Sequence, residues 1–216
     1  MTTRHRKHSN PFTFRDVLAR PDYEIVFGRR APLEVEIGFG KGKFLIELAT
    51  ARGEVNFVGL EIRQFLVERM IHQATKLGIK NIHAVHCNAN TALAVLFAPQ
   101  EVQRFYVHFP DPWFKTRHHK RRVINLQTAE SMWQLLMPHG EVHVMTDYLP
   151  IARDAQSALT QNGFELILDQ EKVDDLETTA IRSEREEWHL SQGDPVHRMS
   201  FRKLPTMANH PRVFTP

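Results

Sequence analysis

A chain of 216 residues with 42% hydrophobic side chains is long enough for one well-filled core and short for two, so one fold is expected. The formal charge of +3 and the pI of about 9.1 suit a polyanionic partner without demanding one. The single Cys87 excludes an internal disulfide framework and a cysteine-rich zinc site, and it fits a reducing compartment. No apolar run approaches the roughly 20 residues of a membrane span. The basic N-terminus has no apolar stretch behind it and does not read as a secretory signal. A cytoplasmic protein with no membrane partner is expected.

Met1 to Asn10 carry Arg4, His5, Arg6, Lys7 and His8 with little to bury, which predicts a mobile basic arm within an N-terminal extension over 1–30. From Leu33 onward, β-rich runs recur at 33–37, 56–60, 82–87, 105–109, 142–145, 164–168 and 196–201. Helical stretches fall between them at 43–51, 64–77, 124–136 and 151–161. In the clearest of these, Phe65, Met70, Ile71, Ala74 and Leu77 approximate one face, and Gly78 supplies the stop. Strand alternating with helix predicts an α/β, Rossmann-like fold: a mostly parallel seven-stranded sheet with helices on both faces, over 31–204, with a tail at 205–216. The acidic concentration from Glu165 to Glu187 reads as a solvated face.

After the first strand comes Glu36-Ile37-Gly38-Phe39-Gly40-Lys41-Gly42, a glycine turn that lets a ligand approach the main chain and a helix start. A dinucleotide fingerprint needs glycine where Lys43 stands, and a P-loop needs Gly-Lys followed by Ser or Thr, so neither cofactor class is favoured. Glu61 ends the second strand at the distance where an acidic residue takes the ribose hydroxyls of an adenosine cofactor. Asn88 follows the third strand, where its carbonyl can accept from an adenine amino group. Alone, either residue is as easily a helix-start residue; together they put polar acceptors after successive strands at one sheet edge.

The fourth strand runs into Phe109-Pro110-Asp111-Pro112-Trp113-Phe114-Lys115-Thr116-Arg117-His118-His119-Lys120-Arg121-Arg122. Flanking prolines restrict the backbone of Asp111, Trp113 and Phe114 offer flat surfaces to a purine, and the cations suit phosphates. Such a loop points to RNA. The 13 histidines are scattered, and His118 and His119 sit among cations that repel a metal, so no metal site is expected.

These segments, with Gly59-Leu60-Glu61 and Thr146-Asp147, resemble the bacterial tRNA (guanine-N7-)-methyltransferase family in order from about Leu33 to Arg202. The resemblance implies a class I methyltransferase fold, S-adenosylmethionine as cofactor, and N7 of a tRNA variable-loop guanine as target. It implies that Glu36, Gly38, Gly40, Glu61, Asn88 and Asp111 contact the cofactor and that Asp111 is the catalytic carboxylate. It assigns substrate contacts to Lys115 and Asp147, and to Ser183 and Glu186 of a C-terminal motif. Arg117, Lys120, Arg121 and Arg122 are expected on RNA phosphates, and the protein is expected as a monomer or homodimer. Asn88 stands where the family usually has Asp, and Arg185 where it has an aromatic residue. Competing readings are a methyltransferase of this fold acting on another RNA, a protein or a metabolite, and a non-catalytic RNA-binding module. Five closely placed cations give a small neutral substrate nothing to pair with, and a non-catalytic module would carry a damaged cofactor turn.

Overall fold

The computed structural model describes residue 14, residues 17–170 and residues 181–205. The basic arm expected at 1–10, the stretch 171–180 of the acidic segment and 206–216 of the expected tail lie outside them.

Seven strands, β1 (Leu33–Ile37), β2 (Asn56–Glu61), β3 (Ile82–His86), β4 (Val102–His108), β5 (Leu136–Thr146), β6 (Phe164–Gln170) and β7 (His197–Lys203), form one sheet in the order β3-β2-β1-β4-β5-β7-β6. Neighbours from β3 to β5 pair in parallel, and β7 runs antiparallel to both β5 and β6. The helices are α1 (Tyr23–Phe27), α2 (Lys43–Ala51), α3 (Gln64–Leu77), α4 (Ala89–Leu96), α5 (Leu126–Leu135), α6 (Leu149–Gln161) and α7 (Glu184–Ser191).

Parallel strands buried on both faces need apolar residues on each. On one face Val35, Ile37, Phe105, Val107, Val142 and Val144 pack with Leu93, Leu96, Met132, Ala155 and Leu159 of α4, α5 and α6. On the other, Phe57 packs with Phe44, Leu45 and Leu48 of α2 and Leu66, Val67 and Met70 of α3. The chain order reverses between β1 and β4, so the loops leaving these strands open a crevice at their C-terminal ends.

The expected α3 is present, but its buried residues are Leu66, Val67, Met70 and Ala74, while Phe65, Ile71 and Leu77 are exposed. Apolar residues spread around this helix, and the packing partners, not the count, decide its inner face. Within the expected extension, α1 is capped by Asp22 and ends at Gly28 in the left-handed region; Tyr23 is buried and its hydroxyl donates to the Leu96 carbonyl at 3.2 Å.

Candidate active site

A cleft of about 260 Å³ opens at the C-terminal ends of β1 to β4, and Glu36, Gly38, Gly40, Glu61, Asn88 and Asp111 all line it. Gly38 and Gly40 have φ of +78° and +59°, and a Cβ built on either meets nothing within 4 Å. Their requirement is conformational, and the space beside them stays open to a ligand. Gly42, at φ +83°, has the same conformational requirement, and a Cβ there would also press on the end of the Met70 side chain.

Glu36 is sealed from solvent, and its Oε2 is buried without a hydrogen-bond partner. Burial, followed by the charge of Glu61, pushes its carboxyl up to about 8. His108 Nδ1 lies 3.7 Å from the other oxygen, Oε1, beyond hydrogen-bond range. Burial, assisted by His143 and Arg198, pushes His108 down to about 3, so the ring supplies no counter-charge. A buried carboxylate oxygen facing a cleft without a partner fits a cationic ligand group.

Glu61 is already engaged: Oε2 accepts from the Gly40 N–H at 3.0 Å, and both oxygens accept from Arg63. Ribose hydroxyls would therefore compete with the half-exposed Arg63 guanidinium for its lone pairs. Asn88 caps α4, accepting from the Asn90 N–H at 3.1 Å, while lining the cleft, so the cap and ligand readings are compatible. Cys87 also lines the cleft; burial pushes its thiol up to about 12, which keeps it from acting as a nucleophile.

The loop after β4 is held by unusual backbone: Phe109 and Trp113, at φ 49° and 44°, flank the Pro-Asp-Pro turn in the left-handed region. The Phe109 N–H donates to the Met145 carbonyl at 2.7 Å, fastening the turn to β5. Two residues expected to contact the ligand have partners within the chain. Trp113 is buried beneath the Arg121 guanidinium, 5.0 Å from its ring centroid, and both residues line the cleft; Phe114 is exposed beside Tyr148. Arg122 is buried, donating to the Pro112 carbonyl at 2.9 Å and pairing with Asp154, so it holds the loop. Lys115, Arg117 and Lys120 are exposed on or beside the 3-10 turn Thr116–Arg121.

Asp147 follows β5, with His189 Nε2 at 3.2 Å and the Arg185 guanidinium at 3.8 Å. Ser183 caps α7 and lines the cleft with Arg185, whose guanidinium lies over Phe109 at 5.7 Å. Glu186 stands apart from the cleft, paired with Arg198 at 2.6 Å and 3.0 Å, both buried; it anchors α7 to β7. His108 and His189 escape a sequence reading of the site, since the residues they meet are distant in sequence. Among the described residues there is no group of three or more side chains suited to a metal and no helix long and apolar enough to cross a membrane.

A mixed seven-stranded sheet with one antiparallel strand, a glycine turn after β1 and an acidic residue closing β2 defines the class, a Rossmann-like methyltransferase that uses S-adenosylmethionine. A family model described as "Putative methyltransferase" matches residues 30–199. The tRNA (guanine-N(7)-)-methyltransferase of Synechococcus sp. (strain JA-3-3Ab) is 36% identical over 198 residues, covering 90% of this chain and 84% of the relative. The protein of the same name from Synechocystis sp. is 38% identical over 164 residues, covering 74% of this chain and 78% of the relative. The chain belongs to the tRNA (guanine-N(7)-)-methyltransferase family. In fold it is similar to the 16S rRNA methyltransferase KamB, with TM-score 0.66, 15% identity, and coverage of 88% of this chain and 97% of that one.

Proposed function

We propose that this protein transfers the methyl group of S-adenosylmethionine to N7 of a guanine in the variable loop of tRNA. The observation that carries the reading is the placement of Asp111 and Asp147 after the neighbouring strands β4 and β5, with exposed Lys115, Arg117 and Lys120 beside them. Glu36, Glu61, Asn88 and Asp111 would hold the cofactor, which supplies an electrophilic sulfonium methyl. Guanine N7 carries a lone pair and no proton, so a new N–C bond forms as the S–C bond breaks and its electron pair returns to sulfur. No general base is required, and positioning supplies most of the rate. The purine gains positive charge, which Asp111 and Asp147 stabilise, and a carboxylate also accepts from guanine N1 and N2. The domain is taken as 31–204, working in the cytoplasm on tRNA as a monomer or homodimer.

Incubating tRNA with protein and cofactor, then cleaving chemically at N7-methylguanine, is expected to yield one cut in the variable loop. Methyl incorporation without that cut would overturn the assignment. Asp111→Asn should lower the single-turnover rate roughly 100-fold, as loss of one pre-organised charge partner does, with tRNA affinity nearly unchanged.

A further inference from the structure

His189 lies between the two strand ends that the proposed reaction uses. Its ring is buried and stacks on Phe109 at 5.5 Å and 13°, two residues before Asp111. Its Nε2 stands 3.2 Å from Asp147 Oδ2, and its Nδ1 2.9 Å from Asp194 Oδ2. The Nδ1 contact to Asp194 is a hydrogen bond, whereas buried Nε2 meets the Asp147 carboxylate at ion-pair distance and without a hydrogen bond. The ring thus sets its Nε2 edge against the β5 loop and its apolar face against the β4 loop.

The helix carrying it is fixed from three sides. Glu186, one turn earlier, is buried against Arg198 of β7. Glu184 pairs with Lys41 at 2.8 Å and Glu187 with Lys43, which ties the first turn of α7 to the glycine turn and the start of α2. The Asp194 N–H donates to the His189 carbonyl at 3.0 Å, holding the residue behind the ring in place. His189 is therefore set by the scaffold before any ligand arrives, and both strand-end loops rest on it.

We propose that His189 is a positioning residue for methyl transfer, fixing the loop that carries Asp111 and the carboxylate of Asp147 relative to each other. The proposal rests on the reading that Asp147 meets the substrate base. His189→Phe would keep the stack and lose the polar contact to Asp147; His189→Gln would keep a polar group beside Asp147 and lose the ring. Reactions that depend on near-attack geometry lose on the order of 100-fold from a misplacement of about 1 Å, so the effect belongs on the rate at saturating tRNA.

The experiment compares His189→Phe and His189→Gln in the full chain by single-turnover methylation of tRNA, cofactor calorimetry and thermal melting. His189→Phe should lower the rate roughly 10- to 100-fold while cofactor affinity and melting stay near wild type, and His189→Gln should recover part of the rate. In an Asp147→Asn background, His189→Phe should change the rate by less than about twofold, because it acts through that carboxylate. A wild-type rate for His189→Phe, or full additivity with Asp147→Asn, overturns the proposal while the reading of Asp147 stands. If Asp147→Asn alone changes neither the KM for tRNA nor the rate, that reading fails and the proposal falls with it. Should His189→Phe not fold, Asp194→Asn, at an exposed position behind the ring, is expected to slow the reaction roughly threefold with no change in melting; an unchanged rate there overturns the proposal as well.

Discussion

Glu34 and Glu36 stand two residues apart on β1, point to the same face and are both sealed from solvent, yet their surroundings are opposite. Glu34 accepts a bidentate pair from Arg52 at 2.8 and 2.9 Å, a bond from Arg104 at 3.2 Å and one from the Tyr106 hydroxyl at 2.9 Å. Glu36, which lines the cleft, has a neutral imidazole 3.7 Å away and an oxygen with no partner. Burial alone separates nothing here. A carboxylate whose lone pairs are filled by its own chain holds the fold, and one left short beside a cavity is set for a ligand.

The largest effect should come from breaking the satisfied member. Glu34→Ala leaves Arg52 and Arg104 without their shared carboxylate and is expected to destabilise the fold by about 3 kcal/mol, the lower end for a buried pair because both guanidinium groups are partly exposed. The midpoint of urea denaturation reads this directly, and cofactor affinity should be unchanged. Glu36→Gln should do the reverse: stability held or raised, with S-adenosylmethionine affinity reduced by about 2 kcal/mol, roughly 30-fold, for loss of one charge-assisted partner. Equal losses of stability in the two variants would erase the contrast.

A pH series sharpens it. The folded-state value of Glu36, about 8, lies above its ordinary 4.5, so between those values the folded chain keeps a proton that the unfolded chain has released. The contribution of Glu36 to the stability of the ligand-free protein should therefore be fully present below that window and be lost as pH rises from about 5 to about 8. A cationic ligand favours the ionised carboxylate, so cofactor affinity should rise over the same range until the cofactor's own ammonium begins to titrate. Both slopes should flatten in Glu36→Gln. A wild-type affinity independent of pH would remove Glu36 as the cationic group's partner.

The cofactor side of this site is legible in the sequence because its signals are local: a glycine turn, a strand-ending Glu61 and an Asn88 that begins a helix each declare themselves within a few residues. The strand order and the antiparallel β7 are not, since pairing is decided by packing across the whole chain. Nor is α7, whose charged sequence reads as solvated surface while Glu186 finds Arg198 and His189 finds Asp147 only in three dimensions. Short α4 is apolar on nearly every side, so it has no stripe by which to recognise it. In the basic loop, sequence gives every cation the same weight, and only burial distinguishes those that hold the loop from those that face outward.

That last distinction yields the smallest and most specific prediction. Lys115 and Lys120 are exposed, whereas Arg122 is buried against Pro112 and Asp154. If the exposed pair neutralises phosphates, replacing Lys115 and Lys120 with Ala should lower the slope of log tRNA affinity against log salt by about 0.7 to 0.9 for each phosphate no longer neutralised. Affinity should fall modestly at physiological salt, the melting temperature should hold, and cofactor binding should not change, because neither residue lines the cleft. Arg122→Ala should instead strand the Pro112 carbonyl and loosen the Pro-Asp-Pro turn, lowering stability by about 1–2 kcal/mol with little change in salt slope beyond what unfolding causes. Binding isotherms at several salt concentrations, run beside melting curves, separate the outcomes. A slope that drops for Arg122→Ala and not for the exposed pair would mean that the loop opens on RNA and that its buried cation, not its surface ones, meets the phosphate.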